Sequence, residues 1–247
     1  GPACAVSCKS IAINATNDLF TYGNDDDSKR WPNSLTHHIF AGRYGYPYEF
    51  LDRPNRVLPI MSGQLGGSGT QGVCFNEDGL PAEYRGNLFF CDWGLQQIDR
   101  FEIKKAGGSF AVQRRTPLVT KGDVPDFRPF SIAVDADRSS FLIVDWAFDS
   151  WLADGPKTGR LYRLKFVGEG KVEPAPRPKL ESIEAEVLAL DHNAFSVRLD
   201  AQRALARRGE AAVSPLAERL ERAEPETGRL HALWALDAIN TERASGV

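Results

Sequence analysis

At 247 residues the chain exceeds one average domain and suits two. Its 42% hydrophobic and 26% charged residues describe an ordinary globular protein and exclude a disordered one. A net charge of -3 argues against a nucleic-acid partner, which wants a basic surface, and no run approaches the roughly 20 apolar residues of a membrane span.

The chain opens with Gly1-Pro2-Ala3-Cys4, with neither an initiator Met nor the apolar core of a signal peptide. Cys4 and Cys8 are followed by Lys9, where haem attachment would need C-x-x-C-H, so no haem is expected in this chain. Ile11-Ala12-Ile13-Asn14 and Leu19-Phe20-Thr21-Tyr22 then read as two short strands.

The next stretch, Gly23 to Trp31, is the richest in candidate ligands. Asn24, Asp25, Asp26 and Asp27 offer hard oxygens to Ca²⁺. Their spacing is not an alternating Asp-x-Asp, and a solvated acidic turn offset by Lys29 and Arg30 accounts for them too. His37 and His38 are candidate catalytic residues. Being adjacent, they point to opposite faces of a strand, one toward a buried hydrogen-bonded position and the other toward a channel. The aromatic turn Gly42 to Tyr48 reads as packing between sheets.

From Gly72 onward the strands repeat. Gly72 to Gly79, Asn87 to Trp93 and Ile98 to Ile103 form one unit; Ile132 to Asp137, Phe141 to Trp146 and Arg160 to Leu164 form the next. The Asp-Trp pairs at 92–93 and 145–146 lie 53 residues apart. A period near 50 with three or four strands per unit is the mark of propeller blades. Repetition assigns each Asp to turn N–H groups and each Trp to a wedge between blades. Cys74 and Cys91 lie in these apolar runs and read as buried thiols. Arg128, entering the last unit from a loop, is the best single anion-binding candidate. The segment Trp151 to Arg160 lacks the order of a phosphate-binding P-loop. Two full units and one partial unit are too few to close a ring of 4–8 blades, so an open propeller edge is expected.

Glu173 to Lys179 is proline-rich and reads as a stiff linker. Beyond it Val197, Ala201, Ala204, Leu205 and Arg208 follow helical spacing. Gly209 is placed to end that helix in the left-handed conformation, and Pro215 suits the first turn of the next. Arg198-Leu199-x-Ala201-x-x-Ala204-Leu205 recurs 31 residues later as Arg229-Leu230-x-Ala232-x-x-Ala235-Leu236, which predicts HEAT-like paired helices. The expected organisation is propeller blades over 1–170, a linker over 171–180 and HEAT-like repeats over 181–247. The fold class is mainly β, then α.

Five segments together carry a family resemblance: Leu19 to Asp27, Thr36 to Tyr48, Arg85 to Gly94, Phe127 to Ser131 and Trp151 to Arg160. The chain resembles the large membrane-bound dehydrogenase-like proteins, also labelled PVC-type haem-binding proteins. These join a glucose/sorbosone dehydrogenase-like propeller to HEAT repeats and a cytochrome c domain. The resemblance implies an extracytoplasmic protein that oxidises sugars or related alcohols with pyrroloquinoline quinone and Ca²⁺. The alternative is a propeller and HEAT scaffold that binds a carbohydrate or, through its helices, a protein without turnover. Carried over, the family's cofactor-binding positions fall on Arg128 and near Asn24, with Asp25 and Asp26 at its calcium ligands. Its other basic and amide positions fall near Val6, Ser7 and Gly94 and at Phe130, and its catalytic histidine falls before residue 1.

Overall fold

The computed structural model describes residues 10–23, 33–45, 53–63, 65–147 and 159–240. The polypeptide forms two compact units, Gly1–Phe75 with Pro81–Lys171, and Asn76–Leu80 with Val172–Val247.

Among the described residues the first unit contains three antiparallel sheets, each with its strands paired in sequence order. β1 (Ala12–Ile13), β2 (Leu19–Tyr22), β3 (Ser34–His38) and β4 (Ser62–Gly63) form the first. β5 (Gly69–Cys74), β6 (Leu88–Asp92), β7 (Gln97–Ala106) and β8 (Ser109–Thr120) form the second. The third holds β9 (Pro129–Val134), β10 (Ser140–Asp145) and β11 (Arg160–Lys165). Short turns join β1 to β2, β6 to β7, β7 to β8 and β9 to β10, and each holds a positive-φ residue: Asn17, Gln96, Gly107 and Arg138. The opening repeat, expected as a partial copy, is thus a four-stranded sheet whose last strand is only two residues long. Among the described residues no ring of sheets closes.

The sheets stand in sequence, with β1 and β2 against β5, and β9 against β5 and β6. β6 explains this order. All five of its residues are buried, and its side chains alternate between two interfaces. Phe90 packs toward the first sheet, 5.6 Å from the Tyr22 ring, beside Phe20, Leu35 and Phe101. Phe89 faces the third sheet, 5.0 Å from Phe141. Each such ring contributes roughly 1.5–3 kcal/mol on burial. An uninterrupted Leu-Phe-Phe-Cys run therefore marks a strand enclosed on both faces.

The second unit contains α1 (Ile183–Ala189), α2 (Phe195–Arg208), α3 (Val213–Glu221) and α4 (Glu226–Ile239). α1 packs on α2 and α3, and α4 packs on α2 and α3, so two hairpins stack. The sequence repeat at 31-residue offset falls on α2 and α4. Ala201, Ala232 and Ala235 are fully buried in their common core with Leu205 and Leu236. Ser182 caps α1 by accepting the Ala185 N–H. Gly209 does take a positive φ of 59°, but its ψ of -138° is not left-handed helical. A 3-10 turn, Gly209–Ala212, comes at once and leads into α3, so the backbone redirects without a full left-handed cap. Pro215 lies within the first turn of α3. No helix among the described residues is long and apolar enough to cross a membrane.

Candidate functional site

The second strands of the last two sheets end in the same way. Asp92 closes β6 and is wholly buried. Its Oδ1 accepts the N–H of Ser68 at 2.9 Å and of Leu95 at 2.8 Å, while Tyr22 donates to Oδ2 at 2.7 Å. Asp145 closes β10 and accepts from the N–H of Arg128 at 2.7 Å and of Ala147 at 2.9 Å. The residue after each Asp completes the clamp: Trp93 donates its N–H to the Ser68 carbonyl, and Trp146 to the Arg128 carbonyl. Each carboxylate thus ties the end of a second strand to the start of the first strand of its own sheet. Desolvation raises the Asp92 carboxyl above its usual value, against the pull of those hydrogen bonds. Gly67 passes so close, at φ +73°, that a Cβ there would collide with the Asp92 carboxylate.

A bulge accompanies each clamp. On β5, Gly69 opposes Asp92 and Gly72 opposes Phe90, so Thr70 and Gln71 share one partner position. On β9, Pro129 opposes Asp145 and Ser131 opposes Val144, leaving Phe130 as the extra residue. Bulges re-aim side chains, and here the re-aimed residues are Gln71 and Phe130, both exposed. Two side chains link the bulged strands. Thr70 donates to the Pro129 carbonyl at 3.2 Å, and Ser131 donates to Gln71 Oε1. Phe130 also packs against Trp146, with centroids 5.4 Å apart, ring planes tilted by 47° and both rings about two-fifths exposed.

Arg128 stands at this end of the third sheet. Its guanidinium lies 4.5 Å from the centre of the Trp93 ring. Its Nη1 donates to the carbonyls of Trp93 at 2.8 Å and Gly94 at 3.3 Å, while its Nε is buried without a partner. Asn24, Asp25 and Asp26 lie outside the described residues. Among the described residues no group of three or more His, Cys, Asp or Glu could hold a metal ion.

His37 and His38 lie on β3, the third strand of the first sheet. His37 is buried between Phe20 and Phe110, with Nδ1 3.1 Å from Ser109 Oγ and Nε2 3.3 Å from Asp18 Oδ1. Burial would raise the Asp18 carboxyl, but hydrogen bonds from Thr16 and Asn14 and the nearby His37 hold it below its usual value. His38 places Nε2 2.7 Å from Thr21 Oγ1 and its ring 4.8 Å from Tyr44; burial and then His37 lower its pKa.

A second polar group, unforeseen in the sequence, lies between the first two sheets. Arg115 donates to Asp99 at 2.6 Å, to the Tyr22 hydroxyl at 3.2 Å and to the Leu65 carbonyl at 2.8 Å. Desolvation, then Asp92, pushes the Tyr22 phenol far up, so it stays a donor. Asp99 and Arg115 lie on the paired strands β7 and β8 while Tyr22 lies on β2 of another sheet, and no local motif marks them together. Gln71 did carry a signal, because glycines within a strand, here Gly69 and Gly72, often mark a bulge.

These features define a protein of antiparallel meander sheets, clamped by matched carboxylates and joined to a stacked helical unit. No family model and no curated protein matches the chain. Among solved structures it is similar to an oxidoreductase described as a glucose dehydrogenase from Thermus thermophilus. That match has a TM-score of 0.49 and 17% identity, over 63% of this chain and 44% of that one. Two further structures named glucose dehydrogenase match at 12% identity, with TM-scores of 0.45 and 0.47, over 64% of this chain. They are covered over 40% and 44% of their own lengths, so the chain spans less than half of each of these proteins. At identities this low the likeness concerns the backbone course and says nothing of substrate or cofactor.

Proposed function

We propose that the first unit is part of a β-propeller of the glucose/sorbosone dehydrogenase-like kind, within a larger extracytoplasmic protein of the membrane-bound dehydrogenase-like family. In this reading the clamped end of the sheets engages a sugar or a related alcohol, and the helices form HEAT-like repeats that serve a protein partner. The matched clamps and bulges carry the proposal, since the same device at successive sheets presents side chains at one end of the sheets.

Whether a quinone is reduced there is a separate question. A bound pyrroloquinoline quinone with Ca²⁺ would supply the electron acceptor, with Arg128 as the described residue to meet its carboxylates. Binding such an anion wants paired, charge-assisted donors. Arg128 has Nη1 committed to two carbonyls and its face to Trp93, which leaves Nη2. His37 is enclosed by two aromatic rings. These described residues do not assemble a quinone cradle, and no redox step is assigned to them. That observation favours the second reading, a carbohydrate-binding propeller without turnover.

Calorimetric titration of pyrroloquinoline quinone with Ca²⁺ into the 247-residue protein, beside Arg128→Ala, decides between them. Binding that weakens about ten-fold or more on the substitution supports the dehydrogenase, since a charge-assisted bond contributes about 1.5–3 kcal/mol. No binding leaves the carbohydrate-binding reading.

A further inference from the structure

We propose that Gln71, Phe130 and Trp146 form a subsite for a ring-shaped polyol such as a pyranose, an inference that rests on the sugar-binding reading above. The ligand class comes from the side chains that the two bulges expose. A pyranose presents C–H groups on its faces and hydroxyls around its rim. It therefore needs a flat aromatic surface and, beside it, oriented hydrogen-bonding groups.

Both are present. Phe130 and Trp146 pack with centroids 5.4 Å apart and planes tilted by 47°, at relative exposures of 40% and 39%, so each ring keeps part of its face open. Phe130 is the extra residue of the β9 bulge, and the Trp146 backbone is held by the Arg128 carbonyl. The backbones that carry the two rings are therefore held before any ligand arrives, which limits the entropy lost on binding. The next residue along β9, Ser131, donates to Gln71 Oε1. This fixes the amide plane and leaves Nε2, which makes no hydrogen bond among the described residues, to donate to a ligand hydroxyl. Two side chains re-aimed by the same device on neighbouring strands, one aromatic and one amide, suit the face and the rim of such a ring.

Saturation-transfer NMR and tryptophan fluorescence with glucose test this on the full 247-residue protein, with the acyclic polyol sorbitol as the comparison. Glucose is expected to bind better than sorbitol. Phe130→Ala and Gln71→Leu are each expected to weaken it by up to about ten-fold, the scale of one aromatic contact or one hydrogen bond. Both residues are exposed, so unchanged far-ultraviolet circular dichroism and melting will verify that the variants fold. Glucose binding that neither substitution weakens overturns the subsite and leaves the sugar-binding reading standing. No glucose binding by the folded wild-type protein overturns both.

Discussion

Several buried polar residues in this protein are satisfied by partners far away in sequence, and His231 shows the consequence of incomplete satisfaction. It is wholly buried on α4, with Nδ1 2.7 Å from Gln202 Oε1 and Nε2 without a partner. The Phe195 and Trp234 rings flank it. Desolvation, helped by Arg198, depresses its pKa to about 4. The folded state therefore prefers the neutral ring. Its stabilising contribution is complete above the ordinary histidine value near 6.5 and is lost as pH falls from there toward 4. The melting temperature should drop between pH 7 and 4.5 by more in wild type than in His231→Phe. Carboxylates titrate in the same window, so the difference between the two proteins is the quantity to read. Parallel pH profiles would show that the ring is not held neutral. The sequence analysis did not single out His231, and the missing partner at Nε2 is set by tertiary packing alone.

Among the elements, α2 depends on residues supplied from far away in sequence. Its N-cap position is Ala194, which has no side-chain acceptor. Asn76 and Glu77 take over the role. The Phe195 N–H donates to the Asn76 carbonyl at 2.9 Å, and Ser196 gives both its N–H and its hydroxyl to the Glu77 carboxylate at 2.9 Å. A carboxylate at a helix N-terminus satisfies orphan donors and opposes the helix dipole. Glu77→Gln should therefore lower stability by about 1 kcal/mol, read as a fall in the urea midpoint at unchanged slope. A midpoint equal to wild type would assign the cap to the Asn76 carbonyl alone. The turn between α3 and α4 is locked in a similar way. Arg219, buried on α3, donates to Asp191 at 2.8 Å from Nε and also to the Arg222 and Pro225 carbonyls. Gly228 leaves room for this pair, since a Cβ there would collide with both side chains.

For the molecule as a whole, the helical unit includes the short segment Asn76–Leu80 that is laid down between β5 and β6. Besides the cap on α2, Asp78 accepts the Ala175 N–H at 3.0 Å. Residues 172–247 expressed alone should therefore form helix with lower content and a broader melt than the same segment carrying a supplied Asn76–Leu80 peptide. Identical melts with and without the peptide would make the helical unit self-sufficient. The proline-rich stretch from Glu173 to Lys179 reads locally as a plain linker; the Ala175 contact is what makes part of it structural.

Local features were legible along the sequence: the strand pattern with its Asp-Trp repeat, the buried β6 run, the helical spacing beyond Lys179 and the opposed faces of His37 and His38. These arise from backbone periodicity and turn chemistry, which act over a few residues. The partners of the buried polar groups were set by folding. Asp92 meets Tyr22 across 70 positions, Arg115 meets the same hydroxyl across 93, and Glu77 caps a helix 119 positions away. Folding also turned Gln71 and Phe130 outward: Gly69 and Gly72 hint at a bulge in β5, but which residue is the extra one is decided only when two strands pair.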